Sequence, residues 1–290
     1  MKAFENKTTG IITPLELRST KYQIMYWSIV LILVLITCIS ILPSLWVLLS
    51  GFKDVKEIYK IPPDILPKEI KLSKLIEVWQ KYKFGTGYLA SFIISVGDVI
   101  CAIVFPALGG FVLSRLRPRG TGLIMTLLLW TMMMPGQVRM VPTFMVFNTL
   151  GLTNSYLPLW MMSAANIFNI FLFKNYFDSI SISLIEAAQL DGCTDIGIFA
   201  KIILPLAKPI IMYITITSIN ASWSNFMWPY LLMTDNKLMP ISVMLYRMKA
   251  TARLDYYMVA IIFGMIPPVV MYAFFQKQIL GGLNIGGVKG

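Results

Sequence analysis

Two ionisable side chains fall inside otherwise apolar stretches of this 290-residue chain, Asp98 and Arg139. A charge at that depth is costly. It persists by pairing, by lining a water-filled path, or by snorkelling to the interface. Counted from ends on the same side, Asp98 lies about 10 residues deep and Arg139 about 8, so at 1.5 Å rise per residue their depths agree within roughly 3 Å. The two are expected to pair or to line one polar path; the alternative is that Arg139 reaches the interface alone. Further polar and helix-breaking groups accompany them: Pro135, Gly136, Gln137 and Pro142 around Arg139, then Asn220, Ser222, Trp223, Ser224, Asn225, Trp228 and Pro229. Broken or polar helices at membrane depth are tolerated where they line protein or water. Trp beside Asn suits a sugar, the ring stacking on C–H surface while the amide bonds hydroxyls. For Trp228 an aromatic belt at the membrane interface is the competing reading.

A second group of residues has the spacing of a docking element. Residues 183–209 read SLIEAAQLDGCTDIGIFAKIILPLAKP, too polar to span a bilayer and too apolar for an ordinary loop. Ser183 and Glu186 fit a capping box. Ala187 and Ala188 are strong helix formers whose small side chains let a partner approach closely. Asp191-Gly192 ends the first arm, glycine supplying a left-handed cap. Ile196, Phe199, Ala200 and Ile203 give the second arm an apolar period, and Pro205 and Pro209 punctuate its end. An amphipathic helix lying on the membrane would show the same pattern.

Other chemistry is scarce. The chain has no His and three scattered cysteines, Cys38, Cys101 and Cys193, which make neither a disulfide framework nor a metal cluster. It has no phosphate-binding Walker loop and no G-x-S-x-G elbow. Nothing marks it as an enzyme.

The elements that must position these residues follow from composition. With 57% hydrophobic and 13% charged residues, the chain is a polytopic membrane protein. Its charge of +11 is spread between apolar segments, which suits membrane-flanking charge and lipid headgroups rather than nucleic acid. A hydrocarbon core of about 30 Å needs about 20 apolar residues in a helix. Six spans are predicted, at 24–49, 88–114, 123–147, 156–177, 209–233 and 257–280, with 1–23 and 281–290 as polar ends on one side. Lys and Arg divide twelve to twelve between the two sides, so charge alone does not orient the chain.

The segment EAAQLDGCTDIGIFAKIILPLAKP closely resembles the EAA signature of membrane subunits of bacterial ABC importers, E-A-A-x(3)-G-x(9)-I-x-L-P, with Glu186, Ala187, Ala188, Gly192, Ile202, Leu204 and Pro205 in place. SRLRPRG, MMPGQVRMVPTF, SWSNFMWPYLLM and GGLNIGGVKG are similar to the carbohydrate branch, the maltose-type permeases, over roughly residues 24–290. Two departures stand out: SISISL precedes the EAA where relatives often carry Pro and acids, and Ala90-Ser91 replaces an Asn-Ser pair.

The resemblance implies the six-helix fold of type I ABC importer permeases, all α, with a cytoplasmic coupling hairpin at 181–208 between helices 4 and 5. It implies cytoplasmic termini in a bacterial inner membrane. Glu186, Ala187, Ala188, Asp191, Gly192, Ile202, Leu204 and Pro205 would couple to an ATPase. Asp98, Gln137, Arg139, Asn220, Trp223 and Asn225 are the translocation-path candidates. The implied partners are a homologous second permease, a cytoplasmic ABC ATPase dimer that holds ATP and Mg, an extracytoplasmic sugar-binding protein probed by the 234–256 loop, and the lipid bilayer. This chain would bind no cofactor itself. The rivals are an ion-coupled secondary transporter, which needs more than the single intramembrane acid Asp98, and a membrane enzyme or assembly factor.

Overall fold

Apolar runs with no polar partner for their backbone groups must satisfy those groups internally, and helices do so. The computed structural model describes residues 20–282, and every regular element in them is helical. Most of the expected segment 1–23 and of the expected tail 281–290 lies outside the described residues.

The first helix, α1 (Thr20–Phe52), runs 33 residues, roughly 50 Å, well past the expected 24–49. A short turn, α2 (Val55–Ile58), and α3 (Ser73–Lys81) form the connection to α4 (Phe84–Phe111), which continues through a wide π turn, Val112–Leu116. There follow α5 (Thr121–Met133), α6 (Gly136–Thr149), α7 (Leu157–Ala164) and α8 (Ile167–Asp178). The hairpin holds α9 (Ile182–Leu190), α10 (Asp195–Ile198), a second π turn (Phe199–Ile203) and α11 (Leu204–Leu206). The chain ends in α12 (Lys208–Ser224), α13 (Met227–Leu232), α14 (Ile241–Thr251) and α15 (Leu254–Gly282).

Four helical stretches are long and apolar enough to cross a membrane, and two bent pairs could add two more, consistent with the six expected spans. The third expected span, 123–147, is not continuous. It breaks at Met134-Pro135 into α5 and α6, bent by 103°. Proline lacks the N–H for the ladder and its ring crowds the preceding turn. The fifth, 209–233, is also interrupted: α12 stops at Ser224, Asn225 is extended (ψ 110°), and α13 restarts at Met227.

Helix α4 is the axis, packed against α7, α8 and α12. Within a bilayer, close packing rather than exclusion of water holds helices together, and small residues permit it. A side-chain carbon at Gly97 would sit 2.1 Å from Nε1 of Trp160, and one at Gly110 would sit 2.7 Å from Cβ of Phe173. Those two glycines let α7 and α8 lie on α4. At one end of α4 the core is Phe111, Phe173, Phe177, Ile185, Ala188, Ile198, Ile203 and Ala207, which seats the hairpin. At the other end Phe84, Val78, Met248, Val259 and Phe263 gather α3, α14 and α15.

Candidate functional site

The hairpin begins one cap earlier than expected. Helix α9 starts at Ile182 with Ser181 as its cap, and the hydroxyls of Ser181 and Ser183 are 2.7 Å apart. Ser183 therefore lies within the first turn, and the expected Ser183–Glu186 capping box does not form. Ile185 and Ala188 are buried, while Glu186 and Ala187 face out. Of the two small residues, one seats the arm and the other is presented.

The turn follows the expected chemistry. Gly192 is left-handed (φ +78°). Its N–H donates to the Gln189 carbonyl (3.0 Å), and the Cys193 N–H donates to the Ala188 carbonyl (2.9 Å). This pair of bonds is the Schellman closure, for which glycine has no steric penalty. Thr194 then caps the second arm, its hydroxyl accepting from the Gly197 N–H at 3.2 Å. The arm's apolar period differs from expectation. Ile198, Ile203 and Ala207 are buried, Phe199, Ile202 and Leu204 pack beside them, and Ile196 is 79% exposed. A π turn spans Phe199–Ile203, and within it Ala200 faces outward. Pro205 is exposed in α11, and the Tyr176 hydroxyl donates to the Leu206 carbonyl at 2.8 Å, tying the arm to α8. Leu190, 90% exposed, and Ile196 leave an apolar tip uncovered beside Asp191 and Gly192.

Beneath the hairpin, the arginines that looked like flanking charge have structural duties. Arg115 donates to the carbonyls of Phe177 and Ile180, the latter at 2.6 Å, capping the end of α8. Asp178 accepts from Ser114 (2.7 Å) and pairs with Lys174 (2.5 Å). The α4–α8 junction that carries the hairpin is thus clamped by charge-assisted bonds.

The membrane-embedded residues divide in two. Asp98 is 5% exposed and accepts from the Ser163 hydroxyl of α7 at 2.7 Å; one turn away, Ser95 joins Ser222 of α12 at 3.1 Å. Arg139 is exposed at the start of α6, and no ion pair links it to Asp98 among the described residues. The depth match assumed a straight third span, and the 103° bend removes it. Trp223 donates to the Gly264 carbonyl at 3.2 Å, and the Asn225 carbonyl accepts from Ser242 at 2.8 Å. Both fasten the end of α12 to neighbouring helices. Gln137 and Asn220 are exposed. Trp228 packs edge-on against Phe147, ring centroids 6.4 Å apart. No sequence signal pointed to Ser163, 65 residues from Asp98, as its partner.

Residues 100–282 match the family described as the binding-protein-dependent transport system inner membrane component. The chain belongs to this family. It is 30% identical over 275 residues to the polygalacturonan/rhamnogalacturonan transport system permease protein YtcP of Bacillus subtilis (strain 168), covering 89% of this chain and 96% of the relative. It is 27% identical over 272 residues to the arabinooligosaccharides transport system permease protein AraQ of Halalkalibacterium halodurans, covering 92% and 98%. Among solved structures, a bacterial ABC transporter involved in the import of the acidic polysaccharide alginate has a chain that superposes with a TM-score of 0.79 at 26% identity, over 89% of this chain and 98% of that one. The all-α architecture of an ABC importer permease, expected from the sequence, is the fold of this family member. Nothing among the comparisons favours an ion-coupled carrier.

Proposed function

We propose that this chain is one membrane subunit of an ATP-driven importer that passes a carbohydrate inward from an extracytoplasmic binding protein. The observation that carries the reading is the hairpin in a family member: a two-arm element, closed by left-handed Gly192, with an uncovered apolar tip at Leu190 and Ile196. Such a tip fits a cleft on a cytoplasmic ATPase dimer, which holds the ATP and Mg. That assignment puts the hairpin end and both termini in the cytoplasm of a bacterial cell. Ala187 allows close approach, Glu186 and Asp191 supply charge at the contact, and Ile202, Leu204 and Pro205 carry the arm's motion into α12. Closure of the ATPase dimer moves the hairpin, and only contacts that differ between the inward- and outward-facing states can drive the exchange.

A homologous second permease closes the path against the exposed Gln137, Arg139 and Asn220. Asp98, Trp223 and Asn225 act from behind that wall, fixing the helices that form it. The 234–256 segment, at the end opposite the hairpin, faces the binding protein.

The test is co-purification and reconstitution with the second permease, the ATPase and the binding protein. Carbohydrate-stimulated ATP hydrolysis is expected, lost in Gly192→Pro and weakened in Glu186→Lys while the assembly stays intact. Uptake that persists without any ATPase would overturn the reading.

A further inference from the structure

Helix α14 is held in place from beneath. The Ile241 N–H donates to the buried Ser91 hydroxyl at 2.9 Å, and Val243 and Met248 face the core at 0% and 4% exposure. Tyr246, Arg247, Ala250 and Thr251 of the same helix are exposed. There they meet Tyr230 and Leu231 of α13 around a shallow cavity that is wide open to the outside.

The cavity wall is built rather than incidental. Phe226, Tyr230 and Tyr246 form an aromatic triangle with centroid separations of 5.1, 4.5 and 5.2 Å. Phe226 is half-buried behind, and the two tyrosines keep exposed ring surface. Arg247 Nη1 donates to the Asn236 side-chain carbonyl at 3.0 Å, which orients the guanidinium from one corner. Arg247 forms no ion pair with an acid of the described residues, and α14 carries Arg247 and Lys249 but no acid. Its remaining N–H edge is available.

We infer that this cavity is a subsite for an acidic sugar residue, a uronate, with the sugar ring against Tyr230 or Tyr246 and its carboxylate on Arg247; the inference rests on the carbohydrate-import reading above. The aromatic faces suit the C–H surface of any pyranose. The guanidinium supplies the selectivity. Two parallel N–H donors match a carboxylate, and a neutral hydroxymethyl group in its place forfeits the charge-assisted part of the bond. Uronate units would make successive contacts here as cargo leaves the binding protein, at the end of the bundle opposite the hairpin.

The test uses the complete importer in zwitterionic phosphatidylcholine nanodiscs, with trigalacturonate and xylotriose as the acidic and neutral probes, read by saturation-transfer NMR and by ATP hydrolysis. Trigalacturonate is expected to contact the complex directly. Arg247→Gln should weaken that contact about tenfold or more, as expected for loss of a charge-assisted bond. Arg247→Lys should recover part of it, and Tyr246→Ala should cost several-fold with both probes. Equal binding of both probes, unchanged in Arg247→Gln, overturns the uronate subsite and leaves carbohydrate import standing. Trigalacturonate contact that disappears when anionic lipid is added, with no effect of trigalacturonate on ATP hydrolysis, assigns the cavity to lipid headgroups and overturns the subsite. A complex whose ATP hydrolysis no carbohydrate stimulates overturns both readings.

Discussion

Asp255 and Asp98 are both closed off from solvent, at 0% and 5% exposure, yet their surroundings have nothing in common. Asp255, at the first turn of α15 near the mouth of the bundle, takes two bonds from Arg253, at 3.2 and 2.9 Å, and has Lys74 at 3.8 Å. Lys74 in turn donates to the Lys53 carbonyl at 2.6 Å, and Lys53, itself buried, donates to the Asp64 carbonyl at 2.7 Å and lies over the Trp46 ring. Asp98, in the middle of α4, has the Ser163 hydroxyl and, among the described residues, no paired cation. Near the interface, long basic side chains bring charge inward while their stems pack and Arg253 keeps contact with water. At mid-membrane depth a second charge would add its own desolvation cost, and short hydroxyls satisfy a carboxyl group more cheaply. One aspartate anchors the extramembrane cap to the bundle; the other joins α4 to the end of α7.

The largest effect expected from breaking this contrast is at the mouth. Asp255→Ala strands Lys74 without its counter-charge and should cost about 3–5 kcal/mol, read as a fall in the unfolding midpoint in detergent. The double change Asp255→Leu with Lys74→Met should recover much of that loss. In the membrane the expected loss is smaller: Asp98→Ala leaves the Ser163 hydroxyl without its acceptor, about 1–3 kcal/mol, while Asp98→Asn keeps an acceptor and should lose under about 1 kcal/mol. An Asn variant as damaged as the Ala variant would show that charge matters at Asp98 as it does at Asp255.

Titration sharpens the contrast further. Burial holds the Lys74 ammonium below its ordinary value, against the pull of Asp255. The folded state therefore binds fewer protons than the unfolded state between the folded value and the ordinary one. Stability should rise with pH across that window and lie flat below it, and Lys74→Met should abolish the slope. The smallest effect belongs to the exposed pair Lys71–Asp54, 2.9 Å apart. A hydrogen bond from Lys71 holds the Asp54 carboxyl below its usual range. Lys71→Ala should nevertheless leave the unfolding midpoint almost unchanged, and salt should erase what change there is.

What could be read beforehand was what is local. The apolar runs gave the spans, Asp191-Gly192 gave the left-handed turn, and the spacing from Glu186 to Pro205 gave the hairpin its resemblance. Pro135-Gly136 announced a break but not a 103° bend, because a bend angle depends on what the two halves pack against. The capping box failed by position, since the helix starts at Ile182 and the Ser183 hydroxyl, already inside the first turn, pairs with that of Ser181. Asp98 was matched to Arg139 by depth and found Ser163 instead. The lattice from Lys53 through Lys74 to Asp255 joins residues some two hundred positions apart, and no periodicity carries such a signal.

The two π turns, 112–116 and 199–203, converge: the ring of Phe111, just before the first, lies 5.1 Å from that of Phe199, which opens the second. Each holds one residue more than an α-helical turn would. The chain thus carries slack beside the joint between the hairpin's second arm and the end of α4. A joint with a spare residue on both sides can trade a little helical twist for displacement without parting its ladder, much as a cable is left a loop at a moving hinge. Shortening the second loop by one residue, by deletion of Ala200, would draw that slack taut.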